Sequence, residues 1–469
     1  MRSFNAHVLI RAVKGKFIQR GRFALKLLLL IFTALNEPCL GAPAETNASA
    51  SAKAFSLAQA KQIAFQNNWD LLAAKSGVDL ATAQKIVSKE FTNPTLAASV
   101  QKINFDNHSS STARGNGLWD RNYDTILAVN QLFEIGGKRK YRQLSASANF
   151  EVARAQLWDA RRILDAAVSK AFIAALLAEE NVKVLRNSAK SLRQETEIAE
   201  TRFKAGDISS ADKSQIEIAA DKFSLDADTS ESNAKTARIA VETLLGEKNP
   251  QGNWVSGDTL DSLAIGFFEA EQSKPGASRP DLLAAEASLK KSEADLKLQK
   301  AMRIPDPAFL AQYEHQPPDQ PSTVGIGVSF PLPLWNRNRG NIKSAEAARN
   351  QAGIQVEKIH AQIFSETATA ELSYRSAASR WKKYSENIRP KSEDVLKTVE
   401  FSYKKGGASL LDLLTAERND NDIRLATAQA LADSATAAAN LASAKNISTD
   451  SNQSQSNNPK ENNYEKNKH

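Results

Sequence analysis

The chain of 469 residues has one cysteine, Cys39. It can form no internal disulfide and no cysteine-based metal cluster. Histidine is nearly as scarce: His7, His108, His315, His360 and His469 are scattered through the sequence. His108 and His315 fall near two polar loops, where isolated histidines are as a rule solvated. No metal site and no other cofactor is expected. Proline (15) and glycine (20) are few for this length, which leaves room for long uninterrupted elements and excludes a small disulfide-stapled scaffold. No apolar stretch reaches 18 residues, so a membrane-spanning helix is not expected. If the mature chain crosses a membrane, it does so with strands. Gly136-Gly137-Lys138 lacks the spacing of a phosphate loop and reads as a strand-to-helix turn. No nucleophile–base pair can be assembled, so the chain is not read as an enzyme.

The net charge of +8 carries no nucleic-acid signal. Residues 1–44 hold Arg2, Arg11, Lys14, Lys16, Arg20, Arg22 and Lys26 against Glu37, a balance of +6, and the remaining 425 residues carry +2. No basic face follows from that. The first 44 residues read as a secretory signal. A basic stretch precedes an apolar run from Leu25 to Leu35, and Ala42-Pro43-Ala44 offers a small-residue cleavage site. Cleavage before Cys39, as in a lipoprotein, is disfavoured by Glu37 and Pro38.

Helix formers dominate what remains. Phe150, Ala153, Leu157, Ala160, Leu164, Ala167, Ala171, Ala174 and Ala178 step alternately by 3 and 4, Asn181 interrupts, and Leu185 and Leu192 rejoin the phase. This predicts a coiled-coil seam. A helix over 140–204 would be about 98 Å long at ~1.5 Å per residue. A second long stretch covers 341–404, where Pro390 should introduce a kink. Leu425, Ala428, Ala432, Ala435, Ala439 and Ala442 form a seam on its return helix.

An internal duplication organises these pieces. Phe203-Lys204-Ala205-Gly206-Asp207-Ile208-Ser209-Ser210-Ala211-Asp212 matches Tyr403-Lys404-Lys405-Gly406-Gly407-Ala408-Ser409-Leu410-Leu411-Asp412 at an offset of 200 residues. Each copy reads as a helical hairpin tip, with glycine in the left-handed region and serine capping the next helix. Strands duplicate as well. Asn93-Pro94-Thr95-Leu96 and Asp306-Pro307-Ala308-Phe309 each open an extended run followed by a polar loop and a second run. In the later copy Val324, Ile326, Val328 and Phe330 alternate with Thr323, Gly325, Gly327 and Ser329. In the earlier copy Tyr123, Thr125, Leu127 and Val129 alternate with Asp124, Ala128 and Asn130, with Ile126 as the exception. The expected layout is a signal over 1–44, a first repeat over 45–246, a linking segment over 247–279, a second repeat over 280–447 and a disordered polar tail over 448–469. Each repeat would contain a helix (57–90, 280–302), a strand pair, a long helix, a tip and a return helix.

Strands of about ten residues suffice to cross a bilayer at a tilt, and an apolar face backed by a small or polar face suits a wall between lipid and water. Four strands cannot close a membrane barrel, and an open edge is not tolerated in lipid. Several copies of the chain would have to share one barrel.

The chain resembles the TolC-like outer-membrane factors, and within them the outer-membrane component of cobalt–zinc–cadmium type heavy-metal efflux. The residues that carry the resemblance are Phe55 to Ala60, Thr92 to Leu96, Asn130 to Arg139, Arg279-Pro280-Asp281-Leu282, Arg303 to Pro307, Phe330-Pro331-Leu332-Pro333-Leu334-Trp335-Asn336-Arg337-Asn338 and Tyr403 to Glu417. Their order and duplication mark the fold family. The tryptophan-containing segment and Arg279 to Leu282 point to the metal-efflux branch. The resemblance implies a mainly α fold with membrane β: a homotrimer in the outer membrane of a Gram-negative bacterium, four strands per chain in a twelve-stranded β-barrel, and long helical hairpins forming a periplasmic α-barrel. It implies a periplasmic adaptor and an inner-membrane RND-type pump as partners. It assigns Gly206, Asp207, Ile208, Ser209, Gly406, Gly407, Ala408, Ser409 and Leu410 to adaptor contact. It places Asp412 at an aperture, where three copies would form an acidic ring. At Thr415 some relatives carry a second aspartate, which this chain lacks. The alternative for Asp412 is a helix-start carboxylate stabilised by the N-terminal dipole. The function so implied is a passive exit duct for divalent heavy-metal cations. The same fold could serve drug efflux or protein secretion, and a secreted coiled-coil scaffold is the alternative of another class.

Overall fold

The computed structural model describes residues 53–101, 124–271, 278–316 and 320–447. The expected signal segment, Cys39, the loop holding His108, and the polar tail lie outside these residues.

Strand β1 (Lys53–Phe55) leads into α1 (Leu57–Asn67) and α2 (Trp69–Val87). One helix over 57–90 was expected here, and Asn68 corrects that. Its backbone turns extended, its side chain accepts from the N–H groups of Asp70 and Leu71, and its amide donates to Leu244 O at 3.0 Å. The capped N-terminus outweighs continuation of the helix. Strands β2 (Thr95–Gln101) and β3 (Asp124–Leu132) follow, then α3 (Lys138–Ala205), α4 (Ser210–Leu244), β4 (Trp254–Ser256) and α5 (Leu260–Glu271). The later half contains α6 (Pro280–Ala301), β5 (Ala308–Gln316), β6 (Gln320–Ser329), α7 (Arg339–Lys383), a π turn at Tyr384–Ile388, α8 (Arg389–Lys404) and α9 (Leu410–Ala444).

At 68 residues, α3 is about 102 Å long at ~1.5 Å per residue. Its buried stripe differs from the expected seam. Leu164 and Leu192 are buried as predicted, but Ala174 is exposed, and Val168, Phe172, Ile173, Ala175 and Leu176 are buried instead. The helix packs against α1, α2, α4, α5, α6 and α9, so its covered face is broad and centred beside the alanine row. On α9, Ala432, Ala435, Ala439 and Ala442 are all buried, as the 3/4 spacing requires. Alanine there lets α9 lie close to α3, α7 and α5. Pro390 sits in the first turn of α8. The π turn before it, where Arg389 N–H reaches back to Tyr384 O, absorbs the hydrogen bond and space that proline denies an α-helix.

The core gathers residues from both halves of the chain. Trp254 stacks on Phe55 (centroids 4.5 Å apart) and on Phe172 (5.3 Å), and its indole N–H donates to Arg238 O at 3.2 Å. β1 pairs with β4 in parallel, Lys53 opposite Trp254. The segment 247–279 therefore contributes a strand, a helix and a core tryptophan.

The larger sheet is antiparallel, in the order β2-β3-β5-β6. Each hairpin comes from one sequence repeat, and β3 joins β5 across the duplication, with Thr125 opposite His315 and Leu132 opposite Ala308. Among the described residues, strands β2 and β6 pair on one side only. No helix among the described residues is long and apolar enough to cross a membrane.

Candidate functional site

Three regions carry the functional geometry: the faces of the sheet, its junction with the helices, and the hairpin tips. Cross-strand partners share a face, so the register assigns every side chain. One face carries Leu96, Ala98 and Val100 from β2, Leu127 and Val129 from β3, Phe309, Ala311 and Tyr313 from β5, and Val324, Ile326 and Val328 from β6, with Thr125, Gln131 and His315 as its polar members. Ile326 is 89 % exposed in the single chain. The opposite face carries Thr95, Ala97, Ser99, Ala128, Asn130, Gln312, Glu314, Thr323, Gly325 and Gly327, with Ile126, Leu132 and Leu310 as its larger apolar members. A water-soluble sheet would bury the first face, and here it is bare.

The junction brings together motifs 170 residues apart in sequence. Lys138, 7 % exposed at the start of α3, pairs with Asp306 at 2.7 Å and donates to Ile304 O at 2.6 Å. Asp306 also accepts from Ile135 N–H at 2.9 Å, and Phe133 N–H donates to Pro307 O at 2.9 Å. Gly136 and Gly137, at φ +71° and +77°, make the turn from β3 into α3. Gly136 lies so close to Ile304 that a Cβ would meet its Cδ1 at 2.8 Å. The Arg142 guanidinium, held charged chiefly by its hydrogen bond to Glu134, fixes the same turn. Phe133 meets Phe309 edge-on at 5.3 Å. Between β6 and α7, Phe330, Leu332 and Leu334 are exposed, and Trp335 is 93 % exposed. Asn338 turns the chain into α7 at φ +57° and donates to Gln299 O at 2.8 Å.

Arg279 and Asp281 lock the second repeat to its long helix. Arg279 is buried and pairs with Asp281 at 2.7 Å and Glu366 at 2.8 Å. Burial opposes the arginine's charge, but its hydrogen bonds to both carboxylates offset this and leave its pKa raised. The Asp281 and Glu366 carboxyls, despite the same burial penalty, are held below their ordinary range.

The tips match in detail. Gly206 and Gly406 take φ +82° and +78°. Asp207 N–H bonds Arg202 O at 2.9 Å in one, and Gly407 N–H bonds Ser402 O at 2.8 Å in the other, the Schellman closure of a helix end. Ser209 and Ser409 cap α4 and α9. In the second tip Asp412 N–H donates to Ser409 Oγ at 3.2 Å, while Ser409 N–H and Oγ donate to Asp412 Oδ2 at 3.0 and 2.7 Å. Asp212 and Ser209 form the same reciprocal box. The Asp412 carboxyl is lowered from its usual pKa by these bonds from Ser409. Asp207, Ser209, Gly407, Ser409 and Asp412 are exposed, while Ile208, Ala408 and Leu410 are half-buried. Leu413 and Leu414 are buried and Leu411 is exposed. The tips lie side by side: the Arg202 guanidinium stands over the Tyr403 ring at 5.2 Å, and Lys404 pairs with Glu195 at 3.4 Å.

Sequence reasoning missed the Lys138–Asp306 lock and the acids near the tips, Glu195, Glu417 and Asp420, all buried. Their signal was available: Glu195 falls between Leu192 and Ala199 on an apolar seam, and Glu417 and Asp420 continue the step from Leu413.

Against known proteins, the model of the outer membrane efflux protein family matches residues 60–247 and 274–446. The cobalt-zinc-cadmium resistance protein CzcC of Cupriavidus metallidurans is 25% identical over 364 residues, 77% of this chain and 83% of CzcC. The pyoverdine export outer membrane protein OpmQ of Pseudomonas aeruginosa is 22% identical over 76% of this chain and 78% of its own. The solved structure of CusC superposes with a TM-score of 0.68 at 18% identity, covering 87% of this chain and 98% of CusC. The chain belongs to the outer membrane efflux protein family, and its place is the Gram-negative outer membrane with its helical part in the periplasm.

Proposed function

We propose that the chain is the passive outer-membrane exit duct of a tripartite efflux system for divalent heavy-metal cations. The observation that carries the duct is the sheet: a largely apolar exposed face, a small and polar opposite face, and two edges unpaired among the described residues. Three copies would close twelve strands, with the apolar face toward lipid and the other toward a water-filled lumen. A secreted scaffold has no use for such a sheet. The tandem repeats, 45–246 and 280–447, would each contribute one hairpin to the barrel and one to a periplasmic helical tunnel. The exposed apolar side chains of α7, Ile354, Phe364 and Leu372, would then pack against a neighbouring copy. The tips, Gly206 to Ser209 and Gly406 to Leu410, would meet a periplasmic adaptor that couples the duct to an RND-type pump, and Asp412 would line the aperture. The duct itself performs no chemistry.

The similarity to CzcC supports metal as cargo. The similarity to OpmQ favours a second reading, export of an organic molecule. Deleting the gene in its host separates them. Cells should accumulate cobalt, zinc or cadmium and regain export with a plasmid copy. Unchanged metal content with heightened sensitivity to organic compounds would support the second reading.

A further inference from the structure

Near the tips, the two helical hairpins are joined by a buried polar layer to which the duct reading gives no role. Glu417 of α9 is 5 % exposed, and Ser191 of α3 donates to its Oε1 at 3.1 Å. One turn further along α9, Asp420 is buried, pairs with Arg424 and accepts from Ser392 of α8 at 3.0 Å. Ser188 donates to Asn421 Oδ1 at 3.0 Å. One turn toward the tip on α3, Glu195 is 7 % exposed. Lys404 of α8 reaches its Oε1 at 3.4 Å, while its Oε2 is buried without a hydrogen-bond partner.

The charged groups around Glu417 are Glu195 from α3, Glu400 and Lys404 from α8, and Asp420 and Arg424 from α9. Helix α4 meets this region through Ala219, Ala220 and Phe223, which carry no charge. Lys404 answers Glu195 and Arg424 answers Asp420, but among the described residues no ion pair includes Glu417. Burial, followed by repulsion from Glu400, Asp420 and Glu195, outweighs the Ser191 bond and pushes the Glu417 carboxyl up to about 7.

We propose that this layer is a proton-binding latch: one proton held on Glu417, buried between the hairpins without an ion-pair partner among the described residues, keeps α3 of the first hairpin against α8 and α9 of the second, and its loss to water releases them. The consequence for a channel mouth rests on the duct reading; the proton site does not. The direction of the pH dependence follows from linkage. A carboxyl whose folded pKa is raised stabilises most at and below the ordinary carboxylate pKa, and that stabilisation is lost as pH rises toward the raised value. The hairpins should hold at pH 5 and loosen above neutrality.

The test uses the full chain in lipid nanodiscs with spin labels at Ala211 and Leu411, both exposed beside the tips. The label separation should lengthen between pH 5 and pH 8, with a midpoint near 7. The infrared band of a protonated carboxylic acid should disappear over the same range. Glu417→Gln should remove that band and leave the separation short at every pH. If that variant does not assemble, Glu195→Gln, which removes one repelling charge, should lower the midpoint. No protonated-acid band near neutral pH, or a band untouched by Glu417→Gln, overturns the site. A band that titrates without a change in separation overturns the latch. A separation that changes with pH in a protein that passes no current in planar bilayers at any pH would overturn the duct reading and leave the latch standing.

Discussion

Buried Lys138 and half-buried Asp306 form an ion pair at 2.7 Å that ties the first helix of the earlier tunnel hairpin to the first strand of the later barrel hairpin. It lies where β3 turns into α3, so a single contact sets both the exit of the sheet and the register between repeats. Asp306 also satisfies Ile135 N–H. Asp306→Ala should therefore leave the buried ammonium held only by Ile304 O and return the exposed Ile135 N–H to water, and should cost about 1.5–3 kcal/mol. Replacing both partners, Lys138→Met with Asp306→Leu, should recover much of that loss. Denaturant unfolding of the purified protein checks the pattern. Equal losses for the single and double variants would show that the pair is not the linchpin.

The sheet register makes a directional prediction. Ile326→Arg places a charge on the apolar face and should cost roughly 2–4 kcal/mol near a bilayer midplane. Thr323→Arg, on the opposite face, should be milder. The amount of assembled oligomer recovered from membranes reads the difference. Equal tolerance would contradict the assigned facing.

Trp335 offers a probe of membrane depth. Its ring is almost fully exposed at the helix end of the sheet, beside Phe330 and Leu334, where a barrel places its aromatic girdle. In vesicles with lipids brominated near the headgroup, tryptophan fluorescence should be quenched, and Trp335→Phe should remove part of that quenching. Trp254→Phe should not, because that ring is buried in the core. Quenching unaltered by Trp335→Phe would place the β6–α7 connection away from lipid.

How much of this was legible in the sequence depends on how many neighbours each element has. The strands read well because alternation has one partner plane: Val324, Ile326 and Val328 share a face as their spacing says. The tips read well because a glycine at positive φ and a serine three residues on are local chemistry. Helix α9 kept its alanine seam. Helix α3 did not, because six helices pack against it and the buried stripe moved to Val168, Phe172 and Ile173. The break at Asn68 was readable from Asn68 and Asp70 as cap and first-turn acid, but the apolar pattern on both sides masked it. The acidic layer was hidden for the opposite reason. Glu195 and Glu417 occupy seam positions whose burial is decided by a helix more than 200 residues away.

The tip glycines give a prediction about backbone alone. A Cβ at Gly206 or Gly406 would meet nothing within 4 Å, so the cost of Gly→Ala comes from the left-handed conformation. Each substitution should destabilise by about 1–2 kcal/mol. Gly406→Val should be worse and should weaken adaptor docking, read by crosslinking from Ser409. Docking unchanged by a strained tip would move the adaptor surface elsewhere.

Asp412 separates a cap from a gate. Its carboxyl is held below its usual range by Ser409, so it is ionised at neutral pH. Being depressed, the shift contributes stability only above the ordinary aspartate pKa and is lost as pH falls through the folded value. Asp212 makes the same cap in the first tip, which supplies an internal control. If three copies of Asp412 face the axis, their charges attract divalent cations and obstruct the mouth. Asp412→Ala should then raise single-channel conductance and reduce block by divalent cations added on the periplasmic side. Asp212→Ala, which removes an equivalent cap, should then leave both unchanged if only the second tip faces the axis. Equal effects of the two variants on unfolding, with no effect of either on conductance or block, would reduce Asp412 to a helix cap and remove it from the aperture.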